Sequence, residues 1–118
     1  MKTTKKEFEE YKKWVNYYVK QFGLIDYVLY FDHTDIGQAN ANVSIGIIQR
    51  TATFRLNTKI DPRDKEDGKD IRYYARHEVC HLLIADVSNL VGSFASEDEA
   101  KRADEALTVK LTNLLKDA

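Results

Sequence analysis

The stretch Asp70-Ile71-Arg72-Tyr73-Tyr74-Ala75-Arg76-His77-Glu78-Val79-Cys80-His81-Leu82-Leu83-Ile84-Ala85 decides the fold. Asp70 is placed to cap a helix running through Ala85. On that helix His77 and His81 lie four residues apart, one turn above the other on the same face. Both imidazoles can therefore reach one cation at about 2.0 to 2.1 Å, with Glu78 beside it. The pattern is H-E-x-x-H and uses two of the chain's 3 histidines. A shuffled chain of this composition would carry it with a chance of roughly 0.5%. Neutral imidazole suits zinc, which leaves a position open for water and lowers the pKa of that water to about 7. Glu78 can take the proton and pass it to a leaving amine, which is the chemistry of peptide-bond hydrolysis. The bland alternative is an amphipathic helix with two ordinary histidines. It leaves two polar rings flanking a buried stripe with no use.

Two histidines do not complete such a site, and the segment after the motif helix offers acids. Asp86 to Ala95 is a looser segment. Ser96-Glu97-Asp98-Glu99 then has a capping-box spacing, opening a last helix to about Lys116. Ala100, Ala103, Leu107, Leu111 and Leu114 form its apolar stripe, and Asp104 falls on that stripe, where a carboxylate needs a partner or a metal. Glu105 projects with Lys101, Thr108 and Thr112 on a wetter side. Asp104 is the first candidate for the third ligand, followed by Glu105, then Glu97 or Glu99, and last His33 or no protein ligand.

Upstream, Phe8, Tyr11, Val15, Tyr18 and Phe22 recur every three to four residues, predicting a helix over 4–22 closed by Gly23. Ile25 to Phe31 alternates as a strand, with Tyr27, Leu29 and Phe31 on one side. Residues 32–40, with His33, read as a loop. Val43, Ile45 and Ile47 mark a second strand and Thr51 to Asn57 a third, joined by a short link that predicts an antiparallel hairpin. Ile60 to Lys69, with Pro62 and Gly68, reads as a charged loop. Tyr74 falls on the histidine side, where its phenol could serve an oxyanion but packing is the ordinary role; Cys80 reads as a small buried residue.

The chain has 118 residues, 18 Lys+Arg against 19 Asp+Glu, and is 43% hydrophobic. Length and balance predict a single domain over 1–118 and exclude disorder. No apolar run is long enough to cross a membrane, and the near-neutral charge argues against nucleic acid as a partner. The start lacks the apolar core of a signal peptide, and the lone Cys80 cannot form an internal disulfide; both predict a cytoplasmic protein.

The run Ala75 to Leu83, the acidic helix start at Ser96-Glu97-Asp98-Glu99 and the pair Asp104-Glu105 resemble the zincin metallopeptidases, in particular SprT-like domains and short phage-encoded metallopeptidases. The resemblance implies a minimal zincin-like α+β fold. Its parts are an N-terminal helix, a small three-stranded, mostly antiparallel sheet, the H-E-x-x-H helix and a C-terminal ligand helix. It also implies that His77 and His81 bind Zn2+, that Glu78 is the base, and that Asp104 or Glu105 is the third ligand. In gluzincins an Asp usually follows the ligand Glu by four residues, whereas Thr108 and Val109 stand at that spacing here. Such proteins hold an extended substrate on the edge strand before the motif helix, which by chain order points to Thr51–Asn57, with Thr53 and Arg55 either facing the substrate or simply keeping that edge soluble. The expected function is a zinc metallopeptidase acting on a protein or peptide, in the host cytoplasm if phage-encoded. The alternative is a catalytically silent zinc-binding module for protein–protein interaction.

Overall fold

A computed structural model describes residues 1–117, and for Lys65 and Glu66 the backbone alone; Ala118, the end of the expected domain, lies outside the described residues. The order is α1 (Lys5–Gln21), β1 (Val28–Thr34), β2 (Ala41–Gly46), β3 (Thr51–Asn57), α2 (Pro62–Glu66), α3 (Ile71–Leu83), α4 (Ala85–Val91) and α5 (Glu97–Leu114). This is an α+β fold with the expected N-terminal and C-terminal helices. Thr4 and Glu7 close a capping box on α1, as Ser96 and Glu99 do on α5, while the Asp70 side chain accepts from the Tyr73 amide at the start of α3. Each cap answers amides that the first helical turn cannot pair internally. Gly23, just past α1, has φ +71°, the left-handed setting that lacks a penalty only without Cβ.

The sheet order is β1-β3-β2, with β1 and β3 parallel and β2 and β3 antiparallel. It is therefore mixed, where a mostly antiparallel sheet was expected. The β2–β3 hairpin forms as predicted, but it folds so that β3 lies between the other two strands. β3 suits the centre because Ala52, Phe54 and Leu56 are all fully buried. The loop after β1 is tied to β3 by Asn57, whose side-chain amide donates to the Gly37 and Ala39 carbonyls at 3.0 and 2.7 Å.

Three boundaries move. β1 starts and ends three residues later than the alternation suggested, so His33 belongs to the strand. Its Nε2 lies 2.7 Å from Thr3 Oγ1 and its ring stacks on Phe8 at 4.9 Å, which removes it from the ligand candidates. Within the expected loop 60–69, Pro62 starts the short helix α2, a position where its missing N–H costs nothing. The loose segment after α3 contains α4.

One core cluster joins Tyr11, Val15 and Tyr18 of α1, Phe54 and Leu56 of β3, and Ala75, Val79 and Leu82 of α3. Alpha3 is thereby held from one side by α1 and the sheet, leaving its His77/His81 face for α5. The docking of α5 differs from the sequence expectation. Thr108 and Thr112 are fully buried, while Leu107 and Leu114 are 44% and 78% exposed and Ala103 is exposed. The buried line is displaced by one residue, about 100° around the helix. The cause is polar: this face meets the histidines and Arg76. The buried Arg76 donates from Nε to the Thr112 carbonyl at 2.7 Å and from Nη1 to the Tyr18 hydroxyl at 3.3 Å. No helix among the described residues is long and apolar enough to cross a membrane.

Candidate metal centre

The two motif imidazoles sit as the helical spacing requires, with ring centroids 5.0 Å apart and planes at 82°. Glu105 reaches across from α5 so that one oxygen, Oε1, lies 3.0 Å from His77 Nε2 and 3.3 Å from His81 Nε2. The three donor atoms lie within 4.8 Å of one another. A tetrahedral ion with arms of about 2.0 to 2.1 Å spaces its ligands by about 3.3 Å, so these separations match two edges of such a site. His77, His81 and Glu105 are thus a group that could hold a metal ion.

Asp104, the first candidate on sequence grounds, points elsewhere. Its Oδ1 meets His81 at Nδ1, 2.7 Å away, on the side of the ring opposite Glu105. Its Oδ2 accepts from the Ser88 hydroxyl of α4 at 2.5 Å. A carboxylate is acceptor-only when ionised, so this bond uses a proton on His81 Nδ1 and leaves Nε2 on the Glu105 side. Asp104 thus stands behind His81. It directly precedes Glu105 instead of following it by four residues. Glu97 and Glu99 lie in the first turn of α5, where Glu99 is engaged with Ser96.

Behind the histidines runs a line of hydroxyls. Thr108 Oγ1 lies 3.3 Å from both His81 Nδ1 and Asp104 Oδ1, and Thr112 Oγ1 lies 3.3 Å from His77 Nδ1. Sequence reasoning placed both threonines on a wet face. A usable signal was present: Asp104, Thr108 and Thr112 repeat every four residues, the same step as His77 and His81.

Glu78 is 7% exposed and lines the same cleft. Burial, with a smaller contribution from the Glu105 charge, pushes its carboxyl up to about 8. Burial and the neighbouring His81 hold His77 below the usual histidine range, so its ring is neutral at pH 7. The Tyr74 hydroxyl donates to Asp64 Oδ2 at 3.2 Å, and burial raises its pKa, so the ring is committed to packing and to Asp64. Tyr73 stacks on His77 at 5.9 Å. Cys80 is fully buried and outside the ligand group.

The cleft holds about 520 Å³ and runs between α3 and β2, lined by Asn42, Val43 and Ile45 opposite His77, Glu78, His81 and Glu105. Asn57 N donates to Asn40 O at 2.9 Å, which sets the phase of the β2–β3 ladder. Alternation then turns the N–H and C=O groups of Ala41, Val43 and Ile45 away from β3, to the free edge. The expectation for Thr53 and Arg55 fails on topology. β3 is central, with both edges paired, and these two side chains lie on the sheet face opposite the buried Phe54 and Leu56. Arg55 Nη1 donates there to Ser44 Oγ at 2.7 Å.

No protein-family profile matches the chain, and no curated protein matches it. Among solved structures it is similar to the metallopeptidase zymogen jannalysin of Methanocaldococcus jannaschii, with 20% identity and a TM-score of 0.42, covering 86% of this chain and 89% of that one.

Proposed function

We propose that this chain is a zinc-dependent metallopeptidase, with residues 1–118 as one zincin-like unit. The observation that carries the reading is Glu105 Oε1 between the two Nε2 atoms. Two imidazole nitrogens and a carboxylate oxygen converge there at separations that suit the ligands of one cation. Two imidazoles and one carboxylate are a ligand set of catalytic zinc, which keeps a fourth position open.

A zinc ion bound there supplies a Lewis acid that acidifies water and polarises a carbonyl. The protein does the rest. His77, His81 and Glu105 hold the ligand geometry, and Asp104 fixes the orientation of His81 and raises its basicity. Glu78, in the wall beside them, accepts a proton from the attacking water and returns it to the departing amine. Its burial keeps the carboxylate weakly solvated and therefore basic. The outward amides and carbonyls of Val43 and Ile45 offer an extended peptide a strand to pair with, which recognises main chain and demands little of side chains.

The test is Glu78→Gln together with the parent protein on an unfolded protein and a peptide library. The expected result is zinc bound one per chain by both, with cleavage by the parent alone. Zinc binding without cleavage of any substrate by the parent would favour a silent zinc-binding module. Zinc well below one per chain in protein made without a metal-binding tag would overturn both.

A further inference from the structure

We infer that Thr112 is a positioning residue that holds His77 in the tautomer able to bind a metal, a role Asp104 fills for His81. The inference rests on the proposed metal site. The Thr112 hydroxyl lies 2.6 Å from the Thr108 carbonyl, four residues back on α5. A carbonyl can only accept, so the single hydroxyl proton is committed to that bond. Toward His77 Nδ1, 3.3 Å away, the oxygen is left with lone pairs alone. In this contact the ring nitrogen is the donor. Thr112 thus favours the His77 proton on Nδ1, against Glu105 Oε1, which lies 3.0 Å from Nε2 and draws the proton there until a cation takes its place.

The arrangement has no slack. Thr112 is fully buried, so water cannot replace it as acceptor. Its backbone is fixed as well, because Arg76 donates to the Thr112 carbonyl from the helix that carries His77. Arg76 and His77 are adjacent in the chain, so one residue on α5 sets both the docking of α3 and the proton position on its first ligand. The two histidines are thus oriented by different chemistry: a carboxylate behind His81, and a neutral hydroxyl whose own proton is tied down behind His77.

The inference is tested with Thr112→Val, which keeps the shape and removes the acceptor, and Thr112→Ser, which restores it. Long-range proton–nitrogen NMR of the metal-free protein reads the His77 tautomer directly, and competition with a chromophoric chelator reads zinc affinity. The expected result is a larger share of Nδ1–H in the parent and in Thr112→Ser than in Thr112→Val, where Glu105 alone draws the proton to Nε2. Zinc affinity should fall roughly 10- to 100-fold in Thr112→Val, the usual effect of removing a group behind a ligand, and recover in Thr112→Ser. Nε2–H alone in the parent, or Thr112→Val with unchanged tautomer shares and affinity, would overturn the inference. A parent that shows Nδ1–H but binds no zinc would instead remove the metal reading and leave the tautomer assignment standing. Should Thr112→Val fail to fold, the parent spectrum and the Thr112→Ser affinity decide.

Discussion

Glu78 gives the sharpest quantitative test, because its burial has a thermodynamic signature independent of turnover. In the metal-free fold its carboxyl is pushed up to about 8, against 4.5 for the ordinary side chain. The folded state therefore holds a proton that the unfolded state has released throughout this interval. Stability falls with pH wherever the native state binds more protons, so the loss begins near the unfolded value and is complete above the folded one. At about 1.4 kcal/mol per unit, the gap corresponds to a ceiling of roughly 5 kcal/mol between pH 4 and pH 9. Partial opening of the site lowers that figure, and a loss of about 2 to 4 kcal/mol is expected. Glu78→Gln has no proton to lose and should match the parent at pH 4.5 but be more stable by that amount at pH 9. Urea denaturation of chelator-treated protein at both pH values measures it. Zinc should flatten the parent's curve, since a cation beside the carboxylate favours its charged form. Parallel pH profiles for parent and Glu78→Gln in metal-free protein would refute the claim that Glu78 is a strained, buried base.

Three further outcomes follow from the geometry. Glu105→Gln should reduce zinc affinity at least about 100-fold and Asp104→Asn about 10- to 100-fold, as read by chelator competition; the reverse ranking would return Asp104 to the ligand sphere. Val43→Pro, at an edge position whose N–H does not pair with β3, should leave zinc content and melting temperature near those of the parent but lower kcat/KM about 10-fold on peptides, whereas Arg55→Ala should change neither. Arg76→Met should cost about 1 to 3 kcal/mol in thermal or urea unfolding, because it leaves the Thr112 carbonyl without its buried donor, while the Tyr18 hydroxyl keeps Arg72 Nε at 2.7 Å.

The three long helices, α1, α3 and α5, were legible because their signals are local. Thr4, Asp70 and Ser96 cap where capping chemistry says they should, and the four-residue step of His77 and His81 could only be read as one helical face. The position of β3 was not legible. Alternation gives the face of a strand but not its neighbours, so Thr53 and Arg55 were assigned to an edge that belongs to β2. His33 was misplaced because a short polar loop and a polar strand end have the same composition. The acid that faces both histidines, Glu105, ranks second on the sequence for a different reason. Burial of the leucine stripe was taken to orient α5, and that placed Asp104 inward and Glu105 outward. The helix is oriented instead by Thr108, Thr112 and the Arg76 donor, none of which carries weight in a hydrophobic pattern.

The outward leucines of α5 imply that this helix has two competing ways to lie on α3. Rolled by one residue, it would bury Leu107 and Leu114, now 44% and 78% exposed, and carry Glu105 away from the histidines. The greasy orientation is the one a hydrophobic α3 surface would choose; the observed one needs His77, His81 and Arg76 to repay the wasted apolar area. Replacing both histidines by leucine should therefore do more than delete a site. It should tip the balance between two packings of the same sequence, giving a protein that keeps its helix content while Thr112 becomes accessible to solvent.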